Sequence, residues 1–166
     1  MKVRLNRAAY NRVMHNLLRH LQEKDNSFAK GLADIAIKGI VARTKGGIDI
    51  AGQRFKPYSK AYAKKKGTSS ANLVSSGRMI SRSGFDYEVL GGNGRIYIRI
   101  YVPAKMHRGG ADHYTLASVH NFGMRSGRGS GFNMPKREFF GLDKKINDAL
   151  MAYSQDHWRK LLLKLK

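Results

Sequence analysis

The chain has 166 residues, 42% of them hydrophobic, enough for one domain with a buried core. It has no cysteine, which excludes disulfides and thiolate metal sites, and no uninterrupted apolar run long enough to cross a bilayer. Thirty-two Lys and Arg stand against 11 Asp and Glu, a net charge of +21 that attracts polyanions: nucleic acid by default, an acidic protein surface as the alternative.

Residues 4–23 are expected to be helical. Leu5, Ala9, Val13, Leu17 and Leu21 repeat every four positions, and Met14 and Leu18 widen the stripe. Arginines run through this N-terminus and no apolar h-region interrupts them, so it does not read as a secretory signal. The expectation is a soluble protein made and used in the cytosol of its producer, or packed into something assembled there. Asn26 or Ser27 could cap a second helix whose apolar face is Phe28, Leu32, Ile35, Ala36 and Ile40 and which ends at Gly46-Gly47. The two helices form either a hairpin or one bent helix.

The middle of the chain differs in character. From Ile50 to Phe85 there is no Asp or Glu, while Arg54, Lys56, Lys60, Lys64, Lys65, Lys66, Arg78 and Arg82 accumulate. Pro57 stops any helix, Ser59 could cap a short one over SKAYAKKK, and the small, polar stretch from Gly67 to Ser76 reads as a loop. Tyr58 and Tyr62 among these lysines make a basic, aromatic patch that could hold phosphate and stack bases; a solvated or partner-facing surface is the equal alternative.

Two strands follow. Asp86–Leu90 is the first and Arg95–Val102 the second, with Gly91-Gly92-Asn93-Gly94 as the hairpin turn. In the second, Ile96, Ile98, Ile100 and Val102 alternate with Arg95, Tyr97, Arg99 and Tyr101, which predicts a sheet with one covered face. HYTLASVHNF, residues 113–122, is a short helix or strand. The Gly and Arg tract from Gly123 to Gly131 cannot pack a core and reads as a flexible loop. The final helix is expected over about Leu142–Leu165, with Ile146, Leu150, Tyr153, Trp158, Leu161, Leu162 and Leu165 apolar.

The expected fold is therefore α+β: N- and C-terminal helices around a small antiparallel sheet, with two long loops. It forms a single domain over 1–166, made of a helical region (1–45), a loop and sheet region (46–141) and a C-terminal helix (142–166).

Support for catalysis is thin. His15 and His20 are five apart, wrong for one metal face on a helix. His120-Asn121 is similar to part of an HNH nuclease motif, but the remaining framework is missing. No nucleophile elbow or carboxylate pair appears, GGNG joins two strands, and GRGSG lacks the Lys-Ser or Lys-Thr of a phosphate loop. The expectation is a non-enzyme with no cofactor and no metal.

Four segments in order carry a resemblance. They are FKPYSKAYAKKKG (55–67), NLVSSGRMISRS (72–83), SVHNFG (118–123) and MPKREFFGLD (134–143), the last leading into a helix. Over roughly residues 28–165 the chain resembles the phage virion morphogenesis family, the Mu-type tail-completion or neck proteins of tailed phages. It departs from the family pattern at Lys136 and Glu138, which replace a small residue and a second proline, and at Tyr114, which stands further upstream of His120.

The resemblance implies a structural protein of the virion, assembled in the host cytoplasm. It would form a ring, commonly hexameric, at the head-proximal end of the tail, where it meets other neck, connector and tail proteins. It implies no membrane. Arg54, Lys56, Tyr58, Lys60, Lys64, Lys65, Lys66, Arg78 and Arg82 would form one arm toward a neighbouring subunit or acidic surface. The tract with Arg125 and Arg128 would form a second arm that orders on contact. His120 and Phe122 would anchor its near end; Pro135, Phe139 and Phe140, with Leu142, its far end. Some cations could meet DNA passing through the lumen, though tight binding there would hinder exit, so most are expected to face protein. The alternative is a non-specific nucleic-acid-binding protein.

Overall fold

The computed structural model describes Ala8, Asn11, Arg12, Met14, His15 and residues 27–74, 78–92, 95–105, 112–125 and 133–164. The five isolated residues have helical backbone; the rest of the N-terminal predicted helix lies outside the described residues.

Helix α1 spans Ser27–Lys45. Its inner face is Ala29, Ala33, Ala36, Ile37, Ile40 and Thr44, whereas Leu32 and Ile35, expected inside, are only partly buried. Helix α4, Lys144–Lys164, runs antiparallel to α1 at close range. A Cβ at Gly39 would come within 2.5 Å of Ile146 Cγ1, and one at Gly31 would overlap the Tyr153 hydroxyl. Small residues at these two positions let the backbones approach. Phe28 closes the far end, its ring centroid 4.3 Å from that of His157.

At the other end of this pair, the C-terminus of α1 and the N-terminus of α4 are both capped by local chemistry. Ile48 N–H donates to Arg43 O (3.2 Å) and Gly47 N–H to Thr44 O (2.9 Å), a Schellman termination of α1 with Gly47 at φ +71°. Asp143 caps α4, its Oδ1 accepting from Ile146 N–H at 2.8 Å.

Helix α2 is Lys60–Lys66, with Ser59 Oγ accepting from Tyr62 N–H as its sequence predicts, and Gly67 as a left-handed C-cap. The segment after it is not a solvent loop throughout: Ala71, Leu73 and Ile80 are buried. A 3₁₀ turn at Arg82–Gly84 leads into β1 (Asp86–Gly92), which pairs antiparallel with β2 (Arg95–Tyr101) from Asp86↔Tyr101 to Gly92↔Arg95. Tyr97 and Arg99 are exposed while Ile98 and Ile100 are half-buried, so the covered face is the aliphatic one.

The 113–122 stretch is a helix, α3 (His113–Phe122), capped by Asp112, whose carboxylate accepts from Thr115 N–H and Oγ1–H. Strands β3 (Met124–Arg125) and β4 (Asn133–Met134) pair antiparallel. The fold is α+β. One core joins Ile37 and Ile40 of α1, Ile80, Phe85, Val102, Phe139 and Ile146 of α4, and thus draws on all three expected regions of the chain. No helix among the described residues is long and apolar enough to cross a membrane.

Candidate interaction cleft

The two ends of the Gly and Arg tract are stitched together at its base. Met124 pairs with Met134 and Arg125 with Asn133. Arg137 N–H donates to His120 O (2.8 Å) and Phe140 N–H to Asn121 Oδ1 (3.0 Å). Gly123, at φ +77°, has the backbone of Met134 and Lys136 within 3.1 Å of where a Cβ would stand, so a side chain here would be both strained and crowded.

The expected anchors are partly corrected. Phe139 is fully buried, Phe140 stacks on Phe85 and Pro135 is half-buried. Phe122, however, is 72% exposed and Leu142 47% exposed, so neither holds the tract to the core. Asn121 and Arg137 do the holding through hydrogen bonds that no apolar pattern reveals. Arg128 lies outside the described residues, and Arg125 is placed only as a β3 backbone position.

The basic segment divides into outward and inward cations. Arg54, Lys56, Lys60, Lys64, Lys65, Arg78 and Arg82 are exposed. Arg82 is tied down, its Nε 2.7 Å from Asp34 Oδ1. Lys66 turns inward, donating to Tyr58 Oη (2.8 Å) and Asn72 Oδ1 (3.2 Å). The expected free arm is thus a strap, fastened by buried Phe55 and Leu73 and by the Tyr58 hydroxyl, which also accepts from Asn72 N–H and Leu73 N–H.

Between this strap and the tract's base lies a cleft of about 280 Å³. Pro57, Tyr58 and Tyr62 line it from the strap, Met134 and Pro135 from the β4 side. Leu73 adds apolar surface, and Lys66, His120 and Arg137 supply the ionisable groups. Arg137 is 5% exposed, a buried cation whose burial pulls its pKa down. Its Nε donates to Lys56 O (3.1 Å) and its Nη2 to Pro57 O (3.4 Å). The Tyr58 ring carries two cations, Lys66 Nζ at 4.5 Å and Arg137 Cζ at 5.4 Å from its centroid. Burial, then the Arg137 and Lys66 charges, push His120 down to about 4, so it is neutral at pH 7. Its Nδ1 is buried and has no hydrogen-bond partner among the described residues.

A second buried cation, missed in the sequence, fixes the approach to α4. Arg43 Nη1 pairs with Asp143 Oδ2 (2.9 Å), while its Nη2 donates to Phe139 O (2.7 Å) and Gly141 O (2.9 Å). Burial alone would raise the Asp143 carboxyl; the Arg43 and Ile146 hydrogen bonds and the nearby positive charges hold it below the usual carboxylate range. No group of three or more His, Cys, Asp or Glu able to hold a metal stands among the described residues.

No family model, no curated protein and no solved structure matches this chain.

Proposed function

We propose that the protein is a structural component of a tailed-phage virion: a tail-completion or neck protein that forms a ring and joins tail to head. One observation carries this reading. The four segments that resemble the virion morphogenesis family are spread from residue 55 to residue 143, yet each supplies at least one residue to the one cleft: Tyr58 and Tyr62, Leu73, His120, and Met134, Pro135 and Arg137. A pattern that converges on a single surface is what a shared binding or assembly role requires, whereas four chance matches would scatter.

The cleft and the exposed cations give that surface its means. Lys56, Lys60, Lys64 and Lys65 stand in solvent within two residues of its lining positions Pro57, Ser59 and Lys66, and Arg54 is exposed on the same strap. Opposite charge on a partner would steer docking and fix its register. In the ring these residues face a neighbouring subunit or an acidic connector or tail protein. The β3–β4 base of the Gly and Arg tract borders the same cleft through Asn133 and Met134.

The same five cations favour a second reading, non-specific binding of nucleic acid through phosphate contacts. Electron microscopy of lysates from a phage lacking this gene separates the two. DNA-filled heads beside separate, unjoined tails are expected. Intact, infectious particles would remove the neck reading. Tight binding of purified protein to duplex DNA at ~150 mM salt, with a steep salt dependence, would favour the second.

A further inference from the structure

We infer that the cleft between Tyr62 and Pro135 binds a carboxylate flanked by an apolar side chain, presented by an acidic segment of a partner protein. It rests on the assembly reading above in taking the partner to be a protein; the chemistry rests on the cleft itself.

The first ground is uncompensated charge. Lys66 and Arg137 both line the cleft and no Asp or Glu does. Among the described residues neither cation has a carboxylate partner. Their donor capacity is only partly used. An ammonium has three N–H donors, and Lys66 spends two, on Tyr58 and Asn72. A guanidinium has five, and Arg137 commits its Nε and one of Nη2 to backbone carbonyls. What remains, chiefly on Nη1, suits one planar two-oxygen acceptor. A desolvated cation such as Arg137 left without a counter-charge is costly, and an incoming anion removes that cost.

The second ground decides where the anion comes from. Every acidic residue among the described positions already has a partner in its own chain. Asp34, Glu88, Glu138, Asp143, Asp148 and Asp156 are ion-paired. Asp49, Asp86 and Asp112 accept from nearby backbone N–H groups. A second copy brings these carboxylates already engaged and on a chain of net charge +21, which repels its like, whereas an acidic foreign chain is attracted.

The third ground is the walls. Tyr58, Tyr62, Leu73, Met134 and two prolines enclose a space at the small end of ligand sites. A hydrated sugar–phosphate backbone gains little from such walls; an aliphatic or aromatic side chain beside the carboxylate gains burial. His120 adds a sensor. With an anion seated, the Lys66 and Arg137 charges no longer bear on it alone, and its pKa rises from about 4.

The test is an amide and imidazole NMR titration of the full chain with three probes: acetyl-Leu-Asp-Leu-amide, its Asn counterpart and inorganic phosphate. The Asp peptide is expected to shift residues around Tyr62, Lys66 and His120 with a Kd of about 1 mM, and the Asn peptide to bind about tenfold more weakly. At saturation the His120 imidazole pKa rises. Lys66→Met weakens the Asp peptide about tenfold and leaves the Asn peptide unchanged. If that variant fails to fold, the Asp-against-Asn comparison on the natural chain still decides.

Equal binding of the two peptides, or no binding by about 10 mM, overturns the inference. So does phosphate producing these shifts while the Asp peptide does not, which would make the site one for phosphate. The assembly reading fails separately. Peptide binding together with normal particles from the gene-deleted phage keeps the cleft and loses the neck; unjoined heads and tails without peptide binding do the reverse.

Discussion

Between α1 and α4 the chain is held by shape. Gly31 and Gly39 leave room for Tyr153 and Ile146, and Phe28 packs on Tyr153, His157 and Trp158. Around Tyr58 it is held by polar groups in poor contact with water: one hydroxyl serves Lys66, Asn72 and Leu73, and a buried guanidinium binds the carbonyls of Lys56 and Pro57. Apolar contacts of the first kind are non-directional and tolerate small shifts. Polar contacts of the second kind are lost abruptly when one partner goes, because the others remain buried. A cleft built this way keeps its shape, and it keeps a positive charge that a purely apolar seam would not.

Phe139 lies where the two regions meet. It is fully buried and its ring packs edge-on to Phe140. Phe139→Ala should cost about 4 kcal/mol, the largest effect of any substitution considered, read as a lower urea midpoint. If the regions are one cooperative unit, the variant's near-UV and far-UV transitions coincide. Separate transitions would show the cleft side melting apart from the helix pair.

How far the sequence foretells each region follows from the range of the interactions. Strand β2 alternates with period two, and Ser59 caps α2 three residues before Tyr62, so both are local and legible. On α1, Phe28, Ala36 and Ile40 are buried as expected, whereas Leu32 and Ile35 are only half-buried. The resemblance implies Phe122 as an anchor, but Phe122 is exposed and the tract is held by Asn121 Oδ1 on Phe140 N–H, 19 residues apart. Lys64, Lys65 and Lys66 are identical letters; only the placement of Tyr58 and Asn72 turns one of them inward. Arg43 and Asp143 are 100 residues apart, and no spacing rule joins them.

Acid should act on the cleft before it acts on the helix pair. His120 is held neutral in the fold, at about 4 against an ordinary 6.5. Between those values the unfolded chain binds the extra proton, so stability falls as pH drops from about 6.5 to 4, and is independent of this group above that window. The full loss is on the order of 3 kcal/mol. Asp143, whose pKa lies below its ordinary 3.8, contributes stability that is kept above that value and lost only at still lower pH. His120→Gln should therefore flatten the pH 4–6.5 limb of a stability profile and leave the lower limb. A profile that keeps its slope in the variant would assign that limb to other groups.

Tyr58→Phe removes one oxygen from the polar region and nothing from the apolar seam. Asn72 N–H, Leu73 N–H and one Lys66 hydrogen lose their acceptor. The expected cost is about 2 kcal/mol, with amide exchange speeding first at Asn72 and Leu73. A change below about 0.5 kcal/mol would mean that water replaces the hydroxyl and that the strap is held by Phe55 and Leu73 alone.

The finest contrast lies within α2. Lys64 and Lys65 are exposed and Lys66 is half-buried against two tyrosine rings. Lys64→Gln and Lys65→Gln should each change stability by no more than about 0.5 kcal/mol, as surface substitutions do. Lys66→Gln should cost about 1 kcal/mol, because a charged hydrogen bond to Tyr58 and a cation–π contact both go. The three also differ in sign on His120. Removing the Lys66 charge lifts one of the causes that depress the imidazole, so its pKa rises in Lys66→Gln and stays put in the other two. Three equal shifts in that NMR titration would show that His120 senses the whole basic face of α2, and the cleft would then be no more private an environment than the surface around it.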